Sequence, residues 1–329
     1  MGDRIRWGIA GTGGIAARFA EDLGLLPDAE VVAVGSRSQA SADVFGDRYG
    51  IRNRHVGYEA LAADDEVDAI YVAVPHSGHC EAALAGIAGG KAVLVEKPFS
   101  VNAAEAERMI DAARAAGTFL MEAMWVRWLP HFQQVGSLLA EGAIGQVRQV
   151  IADRGEILST DPLHRINNPL LAGGALLDLG IYPVSFNSFA VGGRAPEHVE
   201  AVGRMTQTGV DAQTSMVFSY DDGAQTIIST SLDARSGNRA VITGSEGRIV
   251  LSEPWGRICP VEVIRNDGSA YTTVAPHEGS GLRHQAAEVG LRLRAGESES
   301  PVMTLDETLT IMRTLDRVRE RIGLAYPGE

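Results

Sequence analysis

The stretch Gly8-Ile9-Ala10-Gly11-Thr12-Gly13-Gly14-Ile15-Ala16 decides the fold. It follows the apolar run that begins at Ile5 and opens a helical pattern over Ile15–Leu23. Within it lies G-x-G-x-x-A, a form of the dinucleotide-binding fingerprint. Gly11 permits a tight turn, Gly13 lets a pyrophosphate approach the backbone, and Ala16 is small enough for a helix to pack closely on its strand. Free N–H groups and a partial positive charge at the helix start then face the phosphates. The motif alone is weak, because glycine-rich turns are common. Its place between a strand and a helix is what gives it meaning.

Outward from this loop, short apolar runs alternate with helical patterns. Ile5–Ala10, Val31–Gly35, Ala69–Val74 and Ala92–Val95 read as strands. Ile15–Leu23, Ser38–Tyr49, Cys80–Gly89 and Ala103–Ala116 read as the helices between them. Near-continuous apolar strands separated by helices predict a parallel sheet covered on both faces. Asn102 is placed to cap the last of these helices, Glu105 completes a capping-box spacing, and Gly117 follows its end. Thr118–Glu122 reads as a further strand. After Trp125 the pattern changes. A helix is expected over His131–Glu141. Strands are expected at Val147–Asp153, His198–Thr206, Thr214–Tyr220, Ala224–Leu232, Arg239–Thr243, Arg248–Leu251 and Val261–Ile264. Turn signals such as Asp222-Gly223 and Asp267-Gly268 separate several of them. Two helices, Gly281–Ala295 and Leu305–Ile322, finish the chain. The expected fold class is therefore α/β: a Rossmann-type parallel-sheet domain over residues 1–124, then an α+β domain over 125–329 with a mostly antiparallel open sheet.

Composition narrows the function. At 329 residues the chain suits two domains, and its 45% hydrophobic and 22% charged residues are ordinary for a globular protein. A formal charge of −13 argues against nucleic acid as a partner, since duplex affinity comes largely from Lys and Arg. Cys80 and Cys259 lack metal-ligand spacing, and so few thiols make a reducing compartment the default. No signal peptide is read at the start, and no stretch is read as long and apolar enough to span a bilayer. A cytoplasmic protein with no membrane partner is expected.

The end of the second strand bears on cofactor choice. An NAD site usually places Asp or Glu there to bond the ribose 2′-hydroxyl. Here the chain reads Gly35-Ser36-Arg37-Ser38. No acid repels a 2′-phosphate, and Arg37 can stack on adenine and pair with phosphate. NADP is expected over NAD, with a solvated surface arginine as the plain alternative. Glu96-Lys97-Pro98 ends the fourth apolar run, where open α/β sheets hold their ligands. Lys97 there faces the reactive end of a dinucleotide, where a depressed pKa would let it move a proton. Its alternatives are the surface or pairing with Glu96.

A second constellation is Gly173-Gly174-Ala175-Leu176-Leu177-Asp178-Leu179-Gly180-Ile181-Tyr182-Pro183. Asp178 and Tyr182 are four apart and share a face if the segment is helical. A capping aspartate and a core tyrosine fit the same spacing. His76 and His79 follow Pro75 at another strand end; without further ligands they are no metal site. His79 reads as a wall of the nicotinamide pocket or as a helix-capping histidine. Trp125 reads as packing on a flat or cyclic substrate or as core. His164 and Arg165 lie upstream of the glycine pair.

Together these residues resemble the Gfo/Idh/MocA oxidoreductase family, named for glucose–fructose oxidoreductase and inositol dehydrogenase. The likeness is closest to its branch of dimeric dihydrodiol dehydrogenases and NADP-dependent D-xylose dehydrogenases. It rests on Trp7–Ala16, Glu96-Lys97-Pro98, Met121-Glu122-Ala123-Met124-Trp125, Gly173–Pro183 and the tail from Leu305 to Pro327. The resemblance implies that Lys97 is the active-site lysine and Tyr182 the catalytic tyrosine, with Asp178 one turn before it. It places Trp125 and Arg127 near substrate and nicotinamide, and gives Arg165 a cofactor contact. The remaining cofactor contacts are expected from Thr12, Gly14 and Ile15, from Ser36 and Ser38 beside Arg37, and from Pro75, His79, Glu96 and Lys97. Some relatives carry another base soon after the Arg37 position, where this chain has Ser38 and Ser41. The implied activity is NADP-dependent oxidation of a hydroxyl on a sugar or cyclic diol, by a homo-oligomer, a dimer before others, assembled through the open sheet. Two rivals stand beside it. One is an enzyme whose tightly held nicotinamide performs internal redox chemistry. The other is a non-enzymatic NADP sensor, against which the presence of both Lys97 and Tyr182 argues.

Overall fold

A computed structural model describes residues 4–276 and 278–329. The chain divides into two compact units, one of residues 1–125 and 278–308, the other of 126–277 and 309–329. This differs from the two contiguous segments expected, because residues 278–308 return to the first unit. The reason is a buried carboxylate. Asp22 accepts the backbone N–H groups of Ser280 (2.8 Å) and Arg283 (3.2 Å) and so holds the start of a late helix.

The first unit is a six-stranded parallel sheet with order β3-β2-β1-β4-β5-β6. Its strands are β1 (Ile5–Ala10), β2 (Ala29–Ser36), β3 (Asn53–Val56), β4 (Ala69–Val72), β5 (Ala92–Glu96) and β6 (Leu120–Ala123). Between them run α1 (Gly14–Leu23), α2 (Gln39–Tyr49), the short α3 (Tyr58–Ala62), α4 (His79–Ala88) and α5 (Ala103–Ala116). The strand order reverses between β1 and β4, and ligands of open α/β sheets bind at the carboxyl ends beside such a reversal. Trp7, Phe19 and Tyr71 stack through the core, with Phe19 and Tyr71 rings 3.8 Å apart and the Trp7 ring edge-on to Phe19 at 5.3 Å. β3 and α3 go unread in the sequence, because Asn53-Arg54-His55-Val56 is a half-exposed edge strand without an apolar run. The punctuation of α5 is as expected. The Asn102 side chain accepts the Glu105 N–H at 2.9 Å, Glu105 reaches back to the Val101 N–H, and Gly117 is left-handed.

The second unit is built on an eight-stranded sheet, β14-β13-β12-β11-β7-β10-β9-β8. It comprises α6 (Pro130–Ala140), β7 (Val147–Gly155), α7 (Ile181–Ala190), β8 (His198–Met205), β9 (Asp211–Ser219), β10 (Gln225–Ser231), β11 (Ala240–Gly244), β12 (Gly247–Leu251), β13 (Val261–Arg265) and β14 (Ala270–Thr273). β7 and β10 pair in parallel, and every other neighbouring pair is antiparallel. Helix α8 (Leu282–Ala295) belongs to the first unit, and α9 (Leu305–Ile322) crosses the boundary at Thr308. Phe132, Phe186 and Trp255 form an aromatic cluster between α6, α7 and the loop after β12. The segment Pro169–Ala190, contrary to expectation, is long and apolar enough for a membrane span, at a mean hydropathy of 1.3. Its composition has another cause, since 78% of that window is buried inside the fold. Cys80 and Cys259 are buried free thiols, and burial pushes both up to about 11.

Replacing Asn102 by alanine removes a cap bond from α5. It is expected to cost about 1 kcal/mol and lower the melting temperature by roughly 2–4 °C in a calorimetric scan.

Candidate active site

In the first unit, four strand ends, those of β1, β2, β4 and β5, carry the expected residues. Gly11 has φ +113°, and a Cβ there would lie 2.5 Å from the Ala73 carbonyl oxygen, so the turn after β1 excludes any other residue. Gly13 and Gly14 are exposed, and a Cβ on either would meet nothing within 4 Å. Helix α1 starts with no side-chain cap and no acid in its first turn. A start left uncapped, with Thr12 and Ile15 half-buried beside it, suits a phosphate. Ser36, the last residue of β2, is buried, Arg37 is exposed, and Ser38 caps α2 by accepting the Ser41 N–H at 3.3 Å. Arg37 lies close enough to Tyr58 to draw its phenol pKa down, although burial raises it overall.

The loop after β5 is fastened from several sides. Glu96 is buried and accepts the Tyr71 hydroxyl hydrogen and the Lys97 N–H. Burial lifts the Glu96 pKa, while the Lys97 charge and the Tyr71 bond oppose that rise. Glu122, at the end of β6, accepts the Phe99 N–H at 3.1 Å. His79 sets Nδ1 2.8 Å from the Pro98 carbonyl and Nε2 3.0 Å from the Val74 carbonyl, linking the loops after β4 and β5. A neutral imidazole has a single N–H, so it donates to one of these at a time. Burial, with the His76 and Lys97 charges adding to it, pushes His79 down to about 3 and keeps it neutral. His79 is fully buried between two carbonyls, so it presents no open surface of the kind a pocket wall needs, and among the described residues it bonds no helix N–H of the kind a capping histidine would. Pro75 and the buried His76 follow β4, with the His76 ring edge-on to His79 at 5.7 Å. Lys97 and Trp125 are each half-buried.

In the second unit, Asp178 and Tyr182 do not share one regular helix. Leu176–Gly180 forms a π turn, in which the Ile181 N–H bonds the Leu176 carbonyl, and α7 follows. Pro183 explains the widening, because it has no N–H to give the Leu179 carbonyl four residues back. Such turns recur at functional sites. Asp178 is buried and pairs with Arg165 at 3.1 Å, which gives Arg165 a carboxylate partner where a cofactor contact was expected. Arg127, expected at the substrate, is 1% exposed. Its Nε donates to the Ser185 hydroxyl (3.0 Å) and its Nη2 to the Ser185 carbonyl (2.8 Å), so it braces α7 one turn beyond Tyr182.

The groups that hold this helix start carry no motif in the sequence. Asp211 is fully buried and accepts the Leu176 N–H and the Thr214 hydroxyl, both at 2.8 Å. The Tyr326 hydroxyl donates to the Gly173 carbonyl at 2.6 Å. Arg319 bonds both carboxylate oxygens of Glu329 and keeps that tail in place. Arg154, whose guanidinium carbon sits 5.5 Å from the Tyr182 ring centroid, carries none either. A lone aspartate opening a strand and an arginine at an inward-facing strand position were the available signals.

Comparison with known proteins gives a consistent result. A family model described as "Oxidoreductase family, NAD-binding Rossmann fold" matches residues 5–124, and the GFO/IDH/MocA C-terminal domain matches 132–250. The chain is 39% identical to trans-1,2-dihydrobenzene-1,2-diol dehydrogenase of Oryctolagus cuniculus, over 98% of this chain and 99% of that one. Among solved structures, KijD10, a 3-ketoreductase from Actinomadura kijaniata in complex with NADP and TDP-benzene, superposes with a TM-score of 0.86 at 29% identity, covering 97% of this chain and 98% of that one. An aldose-aldose oxidoreductase from Caulobacter crescentus shares the fold at a TM-score of 0.87 and 24% identity, with 97% of each chain covered.

Burial pushes Asp211 from an ordinary 3.8 up to about 6. The folded state therefore holds an extra proton between those values, and stability falls as pH rises through that window before levelling off. Asp211→Asn has no such proton. Its stability relative to the parent is expected to improve by on the order of 2–3 kcal/mol between pH 4 and pH 7, read by urea unfolding at both pH values.

Proposed function

The chain belongs to the Gfo/Idh/MocA oxidoreductase family, and within it we propose an NADP-dependent dehydrogenase acting on a hydroxyl of a sugar or cyclic diol. The observation that carries this reading is the fastening of the Lys97 loop. Glu96, Glu122 and His79 hold the segment around a lysine at the end of β5, next to the strand-order reversal at β1 and β4. Rigid placement at that edge is what a group acting on a reacting atom requires.

Gly11 to Ile15 would hold the pyrophosphate at the start of α1, and Arg37 the 2′-phosphate, with Ser36 and Ser38 beside it. When bound, NADP supplies a hydride acceptor at nicotinamide C4. Tyr182 takes the hydroxyl proton of the substrate as general base. Lys97 hydrogen-bonds the reacting oxygen and lowers the cost of a phenolate at Tyr182. Asp178 orients the substrate. The names of the rabbit relative and of the NADP-bound ketoreductase support the substrate class and the cofactor.

We further propose a homodimer through the open sheet. Val250, Val241, Ile151, Ile227 and Val217 lie in one cross-strand row, and Ile151, Ile227 and Val217 are each more than 40% exposed. An apolar row of this kind on one sheet face fits an isologous partner of the same surface.

Lys97→Met and Tyr182→Phe are each expected to lower kcat by roughly 10²–10⁴-fold while leaving NADP binding largely intact. NADPH absorbance over a panel of aldoses, inositols and trans-diols reads turnover, and near-parental rates in both variants would refute the assignment. Arg37→Ala should weaken NADP about 10–100-fold and NAD little. Ile227→Arg should convert a sedimenting dimer to monomer.

A further inference from the structure

Arg154 sits on the β7 face that also carries the buried Val150 and Ala152. Its guanidinium stands over the Tyr182 ring at 5.5 Å. Three contacts fix it there. Nη2 pairs with Glu156 at 2.5 Å. Nη1 lies against Gly256, where a Cβ would come within 3.0 Å. The backbone beneath is held by the Trp255 indole, which donates to the Asp153 carbonyl at 2.8 Å, and by the Asp153 carboxylate, which accepts the N–H groups of Asn238 and Arg239. The Arg154 side chain is only 12% exposed, and its Nε is buried with no hydrogen-bond partner among the described residues.

A buried donor without an acceptor costs about 1–3 kcal/mol. An oxygen brought by a ligand removes that cost. A general base works at hydrogen-bond distance from its hydroxyl, about 2.6–3.2 Å. A guanidinium stacked on that base is then within the reach of the substituents next to the reacting carbon. Glu156 already balances the positive charge, so a neutral oxygen suits the position better than an anion.

We infer that Arg154 determines specificity: it reads a second oxygen substituent beside the reacting hydroxyl and favours polyhydroxylated sugars over dihydrodiols of arenes. The inference rests on the proposed role of Tyr182. A sugar ring carries hydroxyl groups on successive carbons, so one reaches Arg154 while another meets Tyr182. An arene dihydrodiol has two hydroxyls and otherwise presents apolar carbon, which leaves the donor unpaired. A site built to bond an oxygen discriminates strongly against a ligand that lacks it.

The test compares the parent, Arg154→Leu and Arg154→Lys, all saturated with NADP. The rates read are kcat/KM for an aldopentose, an aldohexose and the trans-dihydrodiol of benzene. The parent is expected to prefer an aldose. Arg154→Leu is expected to lose about 10–100-fold more on the aldose than on the dihydrodiol, mainly in KM, and Arg154→Lys to recover part of the loss. Equal losses on both substrate classes, or an undiminished aldose rate in Arg154→Leu, would overturn the inference. Calorimetric binding of the aldose to the NADP complexes of Tyr182→Phe and of Tyr182→Phe with Arg154→Leu reads recognition without turnover. Equal affinity in the two, or no aldose binding in either, counts against Arg154. Retained turnover in Tyr182→Phe alone counts against the proton-transfer assignment.

Discussion

Taking a carboxylate out of water costs several kcal/mol unless its oxygens find hydrogen bonds or a positive charge. Glu96 is buried at the end of β5, and the surrounding chain is arranged to meet that demand. Tyr71, from the neighbouring β4, donates its hydroxyl, and the N–H of Lys97 turns back to the second oxygen. These bonds set the direction in which the chain leaves the sheet. Glu122 and His79 then hold the next two residues by their backbone groups. The stacked Phe19 and Tyr71 rings couple this loop to α1. One buried carboxylate thus ties the ends of β4 and β5, the Lys97 backbone and α1 into a single network.

The second unit solves a related problem differently. The helix start that leads to Asp178 and Tyr182 is held by a buried carboxylate, Asp211, which bonds the Leu176 N–H and the Thr214 hydroxyl. A backbone N–H and a hydroxyl donate to its Oδ2, its Oδ1 is buried without a hydrogen-bond partner among the described residues, and burial raises its pKa. Tyr326 adds a second hold on the turn at Gly173. Further along, Arg127 braces Ser185, and Arg154 stacks on Tyr182 itself. Polar groups therefore fix this helix at its start, along its length and on its ring face. Such groups restrict orientation more than apolar packing does, because hydrogen bonds are directional.

The elements most legible in the sequence are those with strong local signals. The run Ala103–Ala116 declares its own ends through Asn102, Glu105 and Gly117, and the structure returns those limits. β1 is likewise recovered over Ile5–Ala10. β3 is not legible because an exposed edge strand needs no apolar pattern, and the apolar character of Pro169–Ala190 is broken up in the sequence by Gly173, Gly174, Asp178 and Gly180. The position of Lys97 is legible because it follows from the strand that ends beside it. The burial of His79 and Arg127 is not, because local sequence does not say which distant groups enclose a side chain.

By itself the sequence determined the alternation of strands and helices, the glycine turn at Gly11, and the residue types at each strand end. Those follow from backbone sterics and hydrophobic periodicity, which act over a few residues. Only the tertiary structure decided that residues 278–308 rejoin the first unit, that Pro183 widens the helix into a π turn at Asp178, and that Arg154 covers Tyr182. Each of these depends on which distant groups share a buried space, and desolvation couples such groups regardless of their separation along the chain.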